Sequence, residues 1–321
     1  MTVVPAQAPA VTVVPAQARA RRRRFGSPLS RHEAMIAFLF LTPWILGFLI
    51  WTIYPIAYSF YLSFTKFDIL TPPKFIGLNN FRFMINAPVF WQSLKVTTIN
   101  CLVSVPLSVI VGYSIALLLN QKIKGLSFWR SVYYLPAVVP ALATAYLFSW
   151  IFNKDLGLVN GILREIGITG PGWFSSRQWV LPAFWIMGLW GAGAGMILYL
   201  AALQGVPTEL YEAAMLDGAN AWQKFRNVTL PITSPVILFT TLMGIIASFQ
   251  IFTGAYIVTN GGPADASLFY ILYLYDVAWL QMKMGYAAAL AWVLFLIILT
   301  LSLITLRVSG RLVYYAGEAR E

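Results

Sequence analysis

Charge is scarce in this chain of 321 residues: Asp, Glu, Lys and Arg together supply 10% of it, against about 25% in soluble domains. With 59% hydrophobic residues and a mean hydropathy of +0.73, it is built for lipid rather than water. Cysteine and histidine are scarcer still, at one each. Cys101 alone excludes an internal disulfide, and with His32 as the sole imidazole there is no His/Cys cluster of metal-ligand type. Structural zinc and a Ser-His-Asp triad are not expected, although one imidazole would suffice for the triad. No lysine is followed by Ser or Thr, so a Walker A sequence ending in Gly-Lys-Ser or Gly-Lys-Thr is absent and the chain has no P-loop for ATP. Ionisable residues are also almost missing from the apolar segments, which argues against a proton-coupled carrier built on buried carboxylates. His32, between Arg31 and Glu33 at the edge of the first apolar stretch, reads as an interfacial residue, and Cys101, inside an apolar run, as packing.

What the chain has in quantity is long apolar segments. A bilayer core of about 30 Å needs about 20 apolar residues at roughly 1.5 Å each. Six segments meet that length, near 34–54, 96–119, 132–152, 180–203, 235–258 and 285–306. The first run continues uncharged to Phe64, and its last turns are expected to leave the membrane. Prolines at 43, 55, 106, 136, 140 and 182 sit in or beside these runs, where bundle packing tolerates kinks. Residues 1–30 carry the segment TVVPAQA twice and then Arg19 and Arg21 to Arg24, a composition that buries no core and predicts a disordered basic tail. The apolar stretch after it has no small-residue cleavage site and is expected to stay attached as the first membrane helix. Residues 31–321 are then one all-α, polytopic membrane domain.

The net charge of +11 is explained by where the basic residues fall. With six spans and a cytoplasmic tail, 14 of the 22 Lys and Arg lie on the tail's side and 8 on the other. The positive-inside rule therefore places both termini in the cytoplasm, and the excess charge serves orientation and contact with membrane lipid. No soluble basic domain is present, which excludes nucleic acid as a partner. On the external side, the turn Asn260-Gly261-Gly262-Pro263 precedes an aromatic stretch from Leu268 to Leu280, too short to span. Tyr270, Tyr273, Tyr275 and Trp279 suit a short helix at the lipid headgroups, serving as an anchor or as part of a docking surface.

The connection from Val206 to Pro235 is expected to form two short helices joined by a turn. Pro207 suits the first turn of a helix, and Glu209 and Glu212 lie near its positive end. Gly218 ends that helix, Asn220 caps the next, and Trp222, Phe225 and Val228 give the second an apolar face. Pro231 and Pro235 are expected to break the pattern before the membrane is re-entered. Ala213 and Ala214 are small enough for another surface to approach closely. On these grounds alone, a docking plug and an ordinary loop packed under the bundle are equal readings.

The segment EAAMLDGANAWQKFRNVTLP resembles the EAA loop found in permease subunits of ABC importers, in particular the sugar-permease family related to the maltose and glycerol-3-phosphate systems. Glu212, Ala213, Ala214, Asp217, Gly218, Leu230 and Pro231 stand at matching places. The resemblance extends over nearly the whole chain after the tail, through Tyr54 to Asp68, Phe75 to Phe81, Tyr133 to Asn160, Ile257 to Pro263 and Met284 to Trp292. It implies a six-helix permease core with a cytoplasmic coupling helix between helices four and five, in which Glu209 to Gly218 dock on a separate ATPase. It implies a second homologous permease, two ATPase subunits, an extracytoplasmic solute-binding protein and a bacterial cytoplasmic (inner) membrane location. ATP and Mg would be held by the ATPases, with no cofactor, metal or catalytic residue in this chain. The solute would be a sugar or sugar-phosphate-like molecule.

Tryptophan, tyrosine, glycine and neutral polar residues within the spans suit a solute gripped by aromatic faces and hydroxyl or amide hydrogen bonds. In the fifth span, Gly244, Ser248 and Ile251 fall on one face, with Gln250 and Tyr256 nearby. In the maltose member of the family, the helix leading to the matching turn lines the substrate site. Ser248 matches a lining position there, while Ile251 replaces a polar one. Trp190, with Gly191, Gly193 and Gly195, either lines the path or lets helices pack closely. Two other readings were weighed. A membrane enzyme acting on lipid-linked sugars could pair Asp155 with Glu165, but Asn153 to Gly157 is more simply a polar turn. A non-transporting scaffold has no use for the matched loop.

Overall fold

A backbone group in hydrocarbon has no water to bond, so apolar segments take up helix and depart from it only where a residue cannot continue or another group compensates. The computed structural model describes residues 28–121 and 124–310, with side chains from His32 onward. The predicted tail, 1–30, lies outside the described residues except for its last three, which begin the first helix.

The chain falls into two contact units, residues 1–57 and 58–321. In the first, α1 (Pro28–Phe48) runs into a π turn (Leu49–Ile53) and the start of α2 (Tyr54–Ser63). None of its described side chains is buried; Phe40 and Trp51 are 81% and 82% exposed. A helix that is apolar all round and covered by nothing in its own unit presents the surface of a lipid-facing or partner-facing span.

The second unit opens with a two-stranded antiparallel hairpin, β1 (Thr65–Lys66) and β2 (Lys74–Phe75). Helices α3 (Asn79–Asn86), α4 (Pro88–Leu119), α5 (Leu126–Val138), α6 (Ala141–Ile151) and α7 (Leu158–Glu165) follow. Then come α8 (Val180–Trp190), α9 (Gly193–Gln204), α10 (Thr208–Leu216), α11 (Ala221–Lys224) and α12 (Leu230–Phe249). The unit closes with α13 (Tyr270–Tyr275) and α14 (Met284–Ser309). Among the described residues, four continuous helical stretches are long and apolar enough to cross a membrane: His32–Ser63, Pro88–Leu119, Ala221–Phe249 and Met284–Ser309. Two bent pairs, α5 with α6 and α8 with α9, bring the total to six if each is one crossing.

The bends have local causes. Between α5 and α6 the chain turns by 97°, where Val139 is extended (φ −71°, ψ 127°). The ring of the following Pro140 excludes the helical conformation from the residue before it. The turn of 50° between α8 and α9 falls at Gly191 and Ala192. The expected fifth span, 235–258, stops as α-helix at Phe249 and resumes only as a π turn at Ala255–Thr259.

Pro231 and Pro235 do not break the chain; one helical run continues from Ala221 to Phe249. A proline ring crowds the carbonyl four residues back and leaves it without a partner. A π turn at Phe225–Thr229 widens the helix just before Pro231, and Ser234 Oγ donates to the Pro231 carbonyl (2.6 Å) that Pro235 cannot serve.

Helix α4 is the hub of this unit, packed on α8, α9, α12 and α13. The approach of α9 to α5 is so close that a Cβ on Gly193 would sit 1.8 Å from the Tyr133 carbonyl oxygen. At the end carrying α3 and α13, buried Asn80 donates to the carbonyls of Ser63 and Thr65 (2.9 Å each). Asn160 clamps a second loop there, donating to Lys154 and Pro171 and accepting from Trp173 Nε1 at 2.7 Å. The aromatic stretch after residue 268 departs from expectation. Tyr270 (0% exposed) and Tyr273 (7%) are buried in the protein core rather than laid at headgroups, and only Trp279 and Leu280 face outward. Beside them, Asp276 Oδ1 is enclosed without a hydrogen-bond partner, and burial pushes this carboxyl above its usual range.

Gly193→Ala is expected to cost at least the roughly 1–3 kcal/mol of an overpacked core, because a backbone oxygen blocks the new methyl. Gly188→Ala, with no atom within 4 Å, is expected to be neutral or mildly stabilising. Thermal unfolding of the two detergent-solubilised variants checks the pair.

Candidate functional site

Two concave regions lie at different levels of one helical run. The first is a cavity of about 440 Å³ inside the bundle, bounded by α4, α8, α9 and α12. That volume is within the range of small-molecule sites, roughly 300–1,000 Å³. Helix α4 presents Asn100, Ser104 and Ser108 to it; α12 presents Thr240, Gly244 and Ser248, with Ile251 just beyond. Phe184, Met187 and Tyr199 supply apolar and aromatic wall from α8 and α9. No Asp, Glu, Lys, Arg or His is among the lining residues. The polar groups are already oriented: Asn100, 1% exposed, donates from Nδ2 to Ser248 Oγ at 3.1 Å. Such a surface can bind hydroxyls and apolar ring faces, and it contributes nothing to neutralise an ion.

Of the residues read from the sequence as a solute path, Gly244, Ser248 and Ile251 meet in this cavity, while Gln250, Tyr256 and Trp190 do not line it. Tyr256 packs on Phe252 (ring centroids 5.4 Å) and Tyr275 (5.5 Å). Trp190, 44% exposed, sets its ring edge-on to Phe148. The glycines of this region divide: Gly191 and Gly195 line the cavity, whereas Gly193 serves close packing. The α4 contribution was missed, although Asn100, Ser104 and Ser108, polar residues recurring every four positions in an apolar run, mark one helix stripe.

The second region is the helix-turn-helix of α10 and α11. Pro207 stands just before α10, at its N-cap rather than in its first turn, and Glu209 lies in that turn. The helix ends at Gly218 (φ +76°). There the Gly218 amide donates to the Met215 carbonyl (3.0 Å) and the Ala219 amide to the Ala214 carbonyl (2.9 Å). That double bond pattern around a left-handed residue is the Schellman motif. Two residues later the next helix opens with a capping box: Asn220 Oδ1 accepts from the Gln223 amide (2.9 Å) while Gln223 Oε1 accepts from the Asn220 amide (2.7 Å). Between the two helices is a groove of about 410 Å³ walled by Leu210, Ala213, Ala214, Asp217, Gly218 and Gln223. Glu209 and Glu212 are exposed beside it, and Leu230 and Pro231 begin α12. Asp155 and Glu165 are both exposed; the first lies in a turn closed by Asn153 Oδ1, which accepts from the amides of Asp155 and Leu156.

Known proteins resemble this chain over most of its length. Residues 104–313 match the family model described as the binding-protein-dependent transport system inner membrane component. A probable ABC transporter permease, YesP of Bacillus subtilis, is 39% identical over 293 residues, which is 90% of this chain and 94% of that one. The lactose transport system permease LacF of Rhizobium radiobacter is 36% identical, covering 92% and 98% of the two chains. MalF of the Thermococcus litoralis trehalose/maltose transport system is 31% identical, covering 88% and 96%. Among solved structures, a chain of a bacterial ABC transporter that imports the acidic polysaccharide alginate superposes with a TM-score of 0.76 at 22% identity, covering 87% of this chain and 96% of that one. At that identity the likeness is one of fold.

The open space around Gly218 means that backbone angle, not bulk, restricts this position. Gly218→Val is expected to cost about 1–2 kcal/mol for the left-handed angle, raising hydrogen exchange at residues 218 and 219 by about 5- to 30-fold. Gly218→Asn, which tolerates the angle, is expected to stay near the unmodified rate. Exchange mass spectrometry of the loop peptide checks both.

Proposed function

The chain belongs to the family of binding-protein-dependent transport system inner membrane components, and from that premise we propose that it carries an uncharged carbohydrate through its half of an importer. It is a permease subunit: an integral, non-catalytic inner-membrane protein whose ATPase is a separate chain. The reading of solute class is supported by the cavity. Hydroxyl and amide groups from α4 and α12 face an aromatic and apolar wall with no ionic side chain, which suits a polyhydroxylated ring. Leaving a phosphate or carboxylate there without a counter-charge would cost several kcal/mol. The relatives' carbohydrate-directed names, lactose and trehalose/maltose among them, agree with that chemistry.

The same reading assigns the remaining parts. The helix-turn-helix with its small-residue groove is the ATPase docking element, with Glu209, Glu212, Ala213, Ala214, Asp217 and Gly218 at the contact and Leu230 and Pro231 fixing its junction to α12. It faces the cytoplasm, as do both termini. A second, homologous permease completes the cavity and meets a second ATPase, and an extracytoplasmic binding protein delivers the solute at the end that holds α3 and α13. Transport proceeds by alternating access: nucleotide and solute favour different conformations, and the coupling between them is reciprocal. The observation that carries this reading is that one unbroken helical run, Ala221–Phe249, begins in the docking loop and ends at the cavity.

Because Cys101 is buried and is the chain's one cysteine, Ala213→Cys places a single accessible thiol on the groove. In native membrane vesicles a short crosslinker is expected to join it to an ATP-hydrolysing subunit. Repeated failure to capture one there sinks the docking assignment. Glu212 lies in the middle of α10 rather than in its first turn, where Glu209 is the acidic residue. Glu212→Arg is expected to leave the amount of membrane-inserted protein unchanged while lowering ATP-driven uptake more than tenfold, since a reversed charge on the exposed surface of the docking helix opposes the partner. In the same vesicles a neutral oligosaccharide is expected to compete for uptake and its uronic-acid counterpart to fail; equal competition by the acid would exclude the neutral-solute reading.

A further inference from the structure

Three tyrosines from three different helices end on one helical run. Tyr211 of α10 meets Thr229 Oγ1 at 2.9 Å, Tyr113 of α4 meets Thr233 Oγ1 at 2.8 Å, and Tyr199 of α9 meets Thr240 Oγ1 at 2.6 Å. Each threonine hydroxyl has a single proton and a carbonyl of its own helix backbone to take it. Thr229 reaches Lys224 only at 3.4 Å, whereas Thr233 donates to Thr229 (2.8 Å) and Thr240 to Val236 and Ile237 (3.0 Å each). With the protons of Thr233 and Thr240 on backbone carbonyls, Tyr113 and Tyr199 donate to those two threonines, while between Tyr211 and Thr229 either hydroxyl can donate. None of the three phenols is left without a partner, as enclosed polar groups require.

The acceptors share a face of the run. Positions 229, 233 and 240 are four and seven apart, and the same face continues four residues at a time through Gly244 and Ser248, which line the cavity. The aromatic rings reinforce the hydroxyl contacts. Tyr113 stands edge-on to Tyr199 (ring centroids 5.4 Å) and lies 6.4 Å from Phe225, itself 5.4 Å from Trp222 in α11. Tyr113 and Tyr199 are almost fully buried, at 7% and 2%. Tyr199 and its acceptor Thr240 are both cavity wall. One end of this ladder is thus in the docking loop, and the other is part of the solute site.

We propose that Tyr211, Tyr113 and Tyr199 are positioning residues for transport: their hydroxyls clasp α10, α4 and α9 to the face of the Ala221–Phe249 run, so that displacement of the docking loop reaches the cavity as one movement. The inference rests on the permease reading. Apolar burial is non-directional, whereas a buried, directed hydrogen bond is made in one register and lost in others. The clasp makes the coupled register the favoured one. It also places Tyr199 so that the cavity wall changes when the base of the helix does.

Tyrosine to phenylalanine changes test this, because the ring and its packing stay while the hydroxyl goes. Unmodified complex and the variants Tyr113→Phe, Tyr199→Phe and Tyr211→Phe are compared in vesicles for solute moved per ATP hydrolysed, with exposed Tyr146→Phe as baseline. Tyr113→Phe and Tyr211→Phe, which leave the cavity wall untouched, are expected to keep near-normal membrane amount and ATP hydrolysis while solute per ATP falls about fivefold, the effect of one net hydrogen bond. Tyr199→Phe, which also alters the cavity wall, is expected to show at least the same fall in solute per ATP. Thr233→Val is expected to match Tyr113→Phe, and Thr233→Ser to recover coupling. Tyr113→Phe with Tyr211→Phe is expected to lose less than the product of the single losses. Normal solute per ATP in all three variants overturns the proposal, as does a loss of hydrolysis and uptake in parallel with protein amount, which marks a merely structural role. A failure of the permease reading shows separately, as no uptake by the unmodified complex.

Discussion

A backbone placed where water cannot bond it must find every partner within the protein, and the architecture of this chain is a series of answers to that demand. Long apolar runs become helix because helix satisfies itself. Where a residue cannot comply, a compensating group stands beside it: the π turn ahead of Pro231, and the Ser234 hydroxyl under the carbonyl left bare by Pro235. Where no compensation exists the chain turns, as at Val139 and Pro140. The outcome at Pro231 and Pro235 governs the rest. Had those prolines ended the helix, the docking loop and the cavity would be hinged; because the run is continuous, they are two ends of one element.

The cavity and the loop answer different physical needs, and their side chains differ accordingly. The loop is stiffened by backbone devices that need no core, the left-handed Gly218 with its paired amides and the reciprocal Asn220 and Gln223 cap. It can therefore hold a shape while exposed and yield a firm surface to a partner. In the cavity, glycines at 191, 195 and 244 make room and a few hydroxyls and amides are held ready by bonds such as Asn100 to Ser248. Binding polar solute there exchanges internal hydrogen bonds for solute ones, at little net cost in either direction. That balance is what a site needs when it must release what it takes up.

Much of this was legible in the sequence, for reasons that particular residues make plain. Length and apolarity marked six apolar segments, which the described residues hold as four continuous helices and two bent pairs with shifted bounds, and the caps at Gly218 and Asn220 are local chemistry that any sequence displays. The helix-turn-helix proposed to dock the ATPase could be read because its two helices, turn and caps lie in one contiguous segment. The cavity is assembled from helices distant in the chain, so the fifth-span stripe was seen only in its outer part, at Gly244, Ser248 and Ile251, while the matching α4 stripe went unread. Trp190, Gln250 and Tyr256 were attractive by composition but point elsewhere, since a run that is apolar on all sides carries no period to reveal its inner face. The same lack misplaced Tyr270 and Tyr273, whose burial depends on α4 and α14 lying over them. The tyrosine ladder is invisible from any single helix, because it exists only in the register between four elements.

The claim at the centre of this account is that a change at the docking loop is felt in the cavity through one helical run. Ser108 lines that cavity from α4 and lies far from the loop in sequence, so a thiol there, as Ser108→Cys, reports the cavity without touching the clasp. Its rate of reaction with a membrane-impermeant reagent, in complexes with and without ATP, is the direct measurement. A nucleotide-dependent change in rate that disappears when Tyr211→Phe is added is the expected result. A rate indifferent to nucleotide in an actively hydrolysing complex would contradict it.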